Sequence, residues 1–424
     1  MIDKKHNADY IIRAKQLVSC AGEAKLRRGA GMLELGIIED GACAVSGDKI
    51  LAVGTYKEIS EDYDSAVIIN TNVALPGLID SHTHPVFSGT RTDEYILKSR
   101  GADYLEILKS GGGILGTVRS TRSSSDDELI NLALNRLDFM LMNGSTTIEA
   151  KSGYGLSLKE EIRHLRLLKY LNEIHPITII PTLLGAHAVP KEYKKDEYVS
   201  IVCEEMIPMA AQENLAEFVD VFCEEGAFNL KETEKIIEKA HSNGLKTRIH
   251  AEQFNNLGAA FKAAEMGAFS ADHLMKLSYD DAEKISKTNM VCCFLPGCEF
   301  FLNKKEYPPA RLAIDKNAAI SIATDFNAGT CLTESMPMVM TVAVLQMGLL
   351  SEEAIIAGTI NPAISLDRGN VCGSLEADKQ ADIILLNVND YRSWLYHFGV
   401  NMIGTVIKSG KKVYETNNVK YGGK

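Results

Sequence analysis

The sequence predicts an α/β chain: a closed (β/α)₈ barrel flanked by β segments that can form one small sheet domain built from both chain termini. Three observations carry this. Eight short apolar runs, each ending in a polar or reactive residue, alternate with amphipathic stretches over roughly 250 residues, the length of one such barrel. Both flanks instead carry short β-like segments separated by glycines and charges. The 424 residues are 46% hydrophobic and 24% charged, ordinary values for a globular protein long enough for a barrel and an appendage.

The N-terminal flank contributes Ala44–Val45, Lys49–Val53 and Ala66–Ile69, up to about Asn72. The barrel runs follow: Leu78–Ser81, Ser145–Ala150, Ile177–Ala186, Val219–Phe222, Lys246–Ile249, Ala268–Ala271, Met290–Leu295 and Ala319–Thr324. Between them, stretches such as Leu158–Glu173 and Leu230–Ser242 read as amphipathic helices. Apolar runs alternating with helices are the pattern of βα units around a parallel sheet. An open doubly wound sheet is the alternative, weakened because no Gly-x-Gly-x-x-Gly turn follows an early run. After about Cys372 the β pattern returns in Ala381–Leu386, Met402–Ser409 and Lys412–Tyr414. The predicted division is residues 1–72 plus 372–424 for the composite β domain and 73–371 for the barrel.

Asp and Glu outnumber Lys and Arg by 56 to 45, a net charge of −11, which argues against nucleic acid or an anionic membrane as the main partner. No apolar run reaches the ~18 residues of a membrane span; the most apolar stretch, Met338 to Leu350, is broken by Thr341, Gln346 and Gly348. The first residues carry no apolar signal-peptide core. Nine scattered cysteines fit a reduced, cytoplasmic compartment better than a disulfide framework. Adjacent Cys292 and Cys293 fall in an apolar run that predicts a buried strand.

The chemistry concentrates first in Asp80-Ser81-His82-Thr83-His84-Pro85. Alternate residues of a strand point the same way, so His82 and His84 can present two imidazoles to one ion. A bare His-x-His also fits two solvent-facing or core histidines. Only ten histidines occur, however, and three more, His187, His250 and His273, fall at predicted strand ends, while Asp325 ends the eighth run. In a barrel these ends converge on one rim, where active sites of this fold lie. Three His and one Asp leave room for a water, the open arrangement of a hydrolytic metal. His187 and His273 are either ligands or groups behind the ligands.

The segment Leu75-Pro76-Gly77-Leu78-Ile79-Asp80-Ser81-His82-Thr83-His84 resembles the first-strand signature of the amidohydrolase superfamily. Lys151-Ser152-Gly153-Tyr154-Gly155-Leu156, Gly185-Ala186-His187, Val221-Phe222-Cys223-Glu224, Thr324-Asp325-Phe326-Asn327 and Tyr396-His397-Phe398-Gly399 are similar to the imidazolonepropionase family within it, over nearly the whole chain. The resemblance implies a TIM-like barrel whose two-ended sheet domain is a small β-sandwich, and one divalent metal per chain, zinc or iron, on His82, His84, His250 and Asp325. A single ion is expected because the fourth run ends without the lysine that bridges two ions in binuclear relatives. The implied reaction is hydrolysis of 4-imidazolone-5-propanoate to N-formimidoyl-L-glutamate, a step of histidine degradation, in a cytoplasmic homodimer. Metal-activated water would attack the ring carbonyl, with Asp325 shuttling the proton and His273 supporting the tetrahedral oxygen.

For the substrate, the resemblance implies Arg91 on the propionate carboxylate, Tyr154 within reach of the ligand, His187 donating to a ring or carbonyl group, Tyr104 at the pocket edge, and Asn327, Gly329 and Thr330 on substrate or product. From spacing alone Arg91 reads as a surface residue and Tyr154 as a packing one. Gly111-Gly112-Gly113 either admits a ligand to the backbone or is a plain flexible loop. Lys151 reads as a salt-bridging or loop-anchoring residue. One departure bears on mechanism. The third position after His250 is Gln253, where several relatives carry a glutamate, and Glu252 lies one place earlier. Gln253 can hydrogen-bond the ring but cannot act as a base, which argues against deamination. The competing readings are an amidohydrolase for another cyclic amide or aminated heterocycle, and a non-catalytic barrel that keeps a metal.

Overall fold

The structure, a computed structural model, describes residues 5–100 and 113–416; Tyr104, Gly111 and Gly112 lie outside the described residues. The N-terminal flank forms β1 (His6–Asn7), β2 (Tyr10–Val18), β3 (Ile37–Ser46), β4 (Lys49–Thr55), β5 (Tyr63–Asp64) and β6 (Ile68–Pro76). The barrel strands are β7 (Leu78–Thr83), β8 (Ser145–Lys151), β9 (Thr178–Ala186), β10 (Phe218–Cys223), β11 (Lys246–Ala251), β12 (Ser270–His273), β13 (Val291–Phe294) and β14 (Ala319–Ile322). The C-terminal flank adds β15 (Ile383–Leu386), β16 (Ile403–Lys408) and β17 (Lys411–Glu415).

All eight predicted runs are strands of one parallel sheet, paired in sequence order from β7 to β14. The seam is closed beyond β14, where Asp325 N donates to His82 O (3.0 Å) and His84 N donates to Phe326 O (2.8 Å). The closure itself therefore sets candidate site residues side by side. Thr324 reinforces it, donating from N (3.0 Å) and Oγ1 (2.6 Å) to the buried Asp80 carboxyl. That interaction turns the chain early, so β14 stops at Ile322 rather than Thr324. The sixth run begins late for a similar reason: Ala268 N caps the preceding helix by donating to Ala263 O (2.9 Å), leaving β12 to start at Ser270.

Helices cover the outside. Leu158–Ile174 starts at Ser157, whose side chain accepts from Glu160 N, and buries Leu165, Leu168 and Leu171. Leu230–Ser242 starts with a reciprocal cap between Asn229 and Glu232 and buries Ile236, Ile237 and Ala240; both show the three-to-four spacing of an amphipathic helix. The apolar stretch near Met338 is the helix Met336–Met347. Among the described residues no helix is long and apolar enough to cross a membrane.

Both termini build one seven-stranded sheet, ordered β17-β16-β15-β6-β2-β3-β4. Its centre is β6, antiparallel to β15 and parallel to β2, and it runs on past Asn72 to Pro76, meeting β7 after a single residue. The sheet bends over itself: Tyr10 Oη donates to Gly410 O (2.9 Å), and Gly410 (φ 73°) leaves no room for a Cβ against the Gly47 carbonyl. Ile12, Leu17, Val45, Ile50, Ile383 and Ile407 fill the interior. All nine cysteines are buried and free, with Cys292 and Cys293 on β13 as the sequence predicts.

Candidate metal centre

His82 and His84 leave the end of β7 on the same side, and their rings lie 5.4 Å apart between centroids. His250, ending β11, approaches His82 at 4.5 Å, and His273, ending β12, lies 5.6 Å from His82. Asp325 completes the group: its Oδ1 is 3.4 Å from His82 Nε2 and 3.5 Å from His84 Nε2. Donor atoms of His82, His84 and Asp325 all fall within 4.8 Å of one another, as do those of His82, His250 and His273. Every one of these side chains is buried.

Two tests show that the set fits a divalent cation. First, His82 Nε2 and His84 Nδ1 are buried and have no hydrogen-bond partner among the described residues; such nitrogens are costly unless a ligand takes them. Second, the far side of two imidazoles is already committed. His82 Nδ1 donates to Asp272 Oδ2 (2.7 Å), and His250 Nδ1 faces Asp220 Oδ2 at 2.9 Å, an ion-pair contact without the alignment of a hydrogen bond. A carboxylate behind an imidazole fixes its tautomer and turns the remaining lone pair toward an ion. Asp220 is itself steered by His250 N, which donates to its Oδ1 (3.1 Å).

Those two carboxylates belong to a buried layer inside the barrel. Lys151 Nζ bonds Glu149 Oε1 and Asp220 Oδ2 at 2.7 Å each and lies 3.7 Å from Asp272 Oδ2. Arg248 Nη2 lies 3.5 Å from Asp272 and donates to Ser81 O (2.9 Å). Three carboxylates thus face two cations, with no exposure to water. Burial alone would raise Asp220 and Asp272, but His250 and Lys151 on one, Arg248 and His82 on the other, hold both below the usual carboxylate range. Burial and Lys151 pull His82 down, yet Asp272 and Asp325 outweigh them and push it up to about 9, so a cation is wanted on its other nitrogen. Burial lowers His84 to about 4 and His273 to about 3, keeping both neutral.

The rim is strained. His273 (φ 80°), Asp325 (φ 50°) and Glu252 (φ 50°) all occupy the left-handed region, a cost of order 1–3 kcal/mol each that recurs at functional sites. For Glu252 the strain turns the carboxyl away from the ion: Oε1 accepts from Ala259 N (2.7 Å) at the start of the next helix. It is a cap, and Gln253 beside it is half-buried.

The remaining predicted residues fall in two groups. His187 stacks over His84 at 5.5 Å between centroids, but its Nδ1 is 3.0 Å from Gly153 O and donates to it. Burial and the neighbouring His84 hold its protonation well below the usual range, so its free nitrogen accepts a hydrogen bond. Tyr154 is buried 5.8 Å from the His84 ring, on a loop gripped by Glu161, whose carboxyl accepts from Gly153 N, Gly155 N and Leu156 N (2.6 to 2.9 Å). Asn327 uses its own side chain inside its loop, accepting from Gly329 N (2.7 Å) and Thr330 N (2.8 Å) and donating to Asp325 O (2.6 Å). It shapes the turn below Asp325 and presents the 329–330 backbone.

Arg91 lines an adjoining cavity of about 480 Å³ together with Phe87, Glu94, Arg136, Phe326 and Gly329. Its Nε and Nη2 bond Glu94 Oε2 (2.9 and 2.6 Å), and its guanidinium lies where a Cβ on residue 329 would be, so a larger residue there displaces the guanidinium from this position. Arg136, stacked 3.6 Å over Phe87, adds a second guanidinium that sequence reasoning missed. Lys151 forms salt bridges, as one reading of the sequence expects; missed were its partners Glu149, Asp220 and Asp272, with Arg248, and Cys298, whose Sγ donates to Asp325 Oδ2 (2.5 Å). The layer does leave a trace, in polar residues at alternate positions of apolar strands, Glu149 with Lys151 and Arg248 with His250.

The closed barrel, the strand-end histidines and Asp325 define a metal-dependent hydrolase of the amidohydrolase type. A family profile, Amidohydrolase family, matches residues 73–413, and the chain belongs to that family. Within it the chain falls among the imidazolonepropionases. It is 42% identical over 418 residues to the imidazolonepropionase of Alkaliphilus metalliredigens (strain QYMF), covering 97% of this chain and 99% of that one. It is 44% identical over 386 residues to that of Thermoanaerobacter pseudethanolicus (strain ATCC 33223 / 39E), covering 90% and 92%. Among solved structures, a zinc-bound adenosine deaminase from Xanthomonas campestris is similar in fold, with a TM-score of 0.72 over 96% of this chain and 93% of that one at 16% identity.

Proposed function

We propose that this protein opens the ring of 4-imidazolone-5-propanoate by hydrolysing its amide C–N bond, giving N-formimidoyl-L-glutamate. His82, His84, His250 and Asp325 would hold one divalent ion, zinc or iron. The observation that carries the reading is the pair of carboxylate-backed imidazoles, His82–Asp272 and His250–Asp220, facing Asp325 across the closing seam. When bound, the ion supplies a water acidified toward a pKa of ~7.

The chain's own groups do the rest. Asp325, held ionised because His82 and His84 outweigh its burial, accepts the proton from the nucleophile and delivers it to the leaving nitrogen. Neutral His273 donates to the oxygen that gains charge as the carbonyl becomes tetrahedral. His187 accepts from a ring N–H, and Gln253 hydrogen-bonds the ring. The propionate carboxylate docks on Arg91 at the cavity beside the rim, with Tyr154 and the 329–330 backbone along its path. The low exposure of the rim side chains keeps competing water away from the ring. We place the enzyme in the cytoplasm as a homodimer; the exposed apolar residues Tyr396, at the end of the helix Arg392–Tyr396, and Phe398 and Val400 just after it support an association surface.

The test is hydrolysis of freshly prepared imidazolone propionate, followed by loss of its ultraviolet absorbance, with metal content determined on the same sample. Turnover with about one ion per chain is expected. A metal-loaded enzyme that leaves this compound intact while opening another cyclic amide would overturn the substrate assignment.

A further inference from the structure

We infer that the rim carries a second cation site, thiophilic in character, formed by His273, Cys298 and the outer oxygen of Asp325. The donor atoms of these three residues lie within 4.8 Å of one another, and all three side chains are buried. Asp325 divides its two oxygens. Oδ1 faces His82 and His84 at 3.4 and 3.5 Å, while Oδ2 faces Cys298 Sγ at 2.5 Å. The carboxylate is therefore poised to bridge two ions, one oxygen each. The new cluster overlaps the set proposed for the first ion only at Asp325.

Cys298 is placed by the fold. It stands in the first turn of the helix Pro296–Phe301 that follows β13, so the thiol enters the rim from the seventh strand. In the binuclear arrangement described above, the bridging group instead ends the fourth. Thr330 Oγ1, 3.6 Å from the sulfur, holds it from the outer side.

The donor chemistry selects the ion. Sulfur, imidazole nitrogen and one carboxylate oxygen suit zinc or cadmium and disfavour magnesium and calcium, which ask for oxygen alone. Tetrahedral zinc with bonds of ~2.3 Å to sulfur and ~2.0–2.1 Å to nitrogen or oxygen sets its donors about 3.5 Å apart, so the 2.5 Å contact between Cys298 Sγ and Asp325 Oδ2 opens by about 1 Å when the ion replaces the thiol proton. Binding forms the metal–sulfur bond and releases the thiol proton to solvent, so charge balances without any oxidant. A cation held there takes Asp325 Oδ2 and the His273 nitrogen, the groups to which the proposed mechanism gives proton transfer and oxyanion support. Excess zinc or cadmium then inhibits. That consequence rests on the proposed function; the site itself does not.

The experiment titrates holoenzyme carrying its first ion with cadmium, following bound metal by equilibrium dialysis and sulfur-to-cadmium charge transfer in the ultraviolet. A second equivalent with a single-thiolate band is expected, both lost in Cys298→Ser and in the independent variant Cys298→Ala, with near-ultraviolet circular dichroism confirming that each variant is folded. No second equivalent, or a band that persists in both folded variants, overturns the site. Turnover is read in the same titration. If the second ion binds and turnover is unchanged, the site stands and the roles given to Asp325 and His273 fail.

Discussion

The two sides of the rim are built on different plans. On the metal side, imidazoles project from strands β7 and β11, and each is backed by a carboxylate from another strand, β12 or β10. Lys151 and Arg248 tie those carboxylates together inside the barrel. On the substrate side most of the holds are short in sequence, although His187 and Arg122 reach the backbone of the Tyr154 loop from further off. Glu94 holds Arg91 from three residues away, Glu161 holds the loop of Tyr154, and Asn327 holds its own turn. The lesson is that the orientation of the imidazoles is a property of the whole barrel, whereas the loops proposed to hold the substrate rest largely on small devices that can change one loop at a time.

The sharpest way to break this contrast is at the residue where the two sides meet. Asp325→Asn keeps the shape but removes a ligand charge and the proton carrier, and kcat is expected to fall about 10²–10⁴-fold; single-turnover kinetics with metal analysis would check it, and a wild-type rate would refute the assignment. Next comes the buried layer. Lys151→Met strands two carboxylates in a dry interior, at a cost of about 3–5 kcal/mol, and weakens metal binding about 10–100-fold. Urea denaturation and chelator competition measure the two effects, and a stable variant with normal affinity would show that the strands alone orient the imidazoles.

On the other side, Arg91→Ala is expected to raise KM about 10–100-fold, the worth of a charged hydrogen-bonded contact, with kcat and metal content little changed. A loss confined to kcat would mean that Arg91 serves the chemistry instead. Glu161→Gln loosens one loop only, so KM should rise about fivefold, close to one hydrogen bond, and bound metal should stay at its wild-type level. Smallest of all is Gln253→Glu, expected to leave the reaction type unchanged because the acid at the neighbouring position is already committed as a helix cap; a product assay for released ammonia decides this.

The contrast also explains what could be read from the sequence. The barrel strands end in His82, His84, His250 and His273, and scarce residue types at repeated strand ends are conspicuous. The buried layer left only an ambiguous trace, because Glu149, Asp220, Arg248 and Asp272 look like the polar half of an ordinary strand; only enclosure by the barrel makes them dry. Strand β2 was passed over for the opposite reason. Arg13, Lys15 and Gln16 interrupt its apolar pattern, yet Arg13 lies on an outer face paired with Asp40 (2.6 Å), while Ile12, Ala14 and Leu17 point inward. Cys298 meets Asp325 because β13 and β14 are paired neighbours whose following segments share one stretch of the rim, and no spacing within either segment reports that meeting.

The junction at Pro76 has a consequence for how the chain is made. Strand β6 leads almost directly into β7, but its partner β15 lies about 300 residues further on. At a synthesis rate of about 5–20 residues per second, one edge of β6 waits on the order of 15–60 seconds for its neighbour. An unpaired edge of that kind invites pairing with the wrong strand. The barrel can gather strand by strand as it emerges from the ribosome, since consecutive strands are neighbours. The terminal sheet cannot, and its completion is the step at which a nascent chain of this protein is most exposed to aggregation and most dependent on a chaperone.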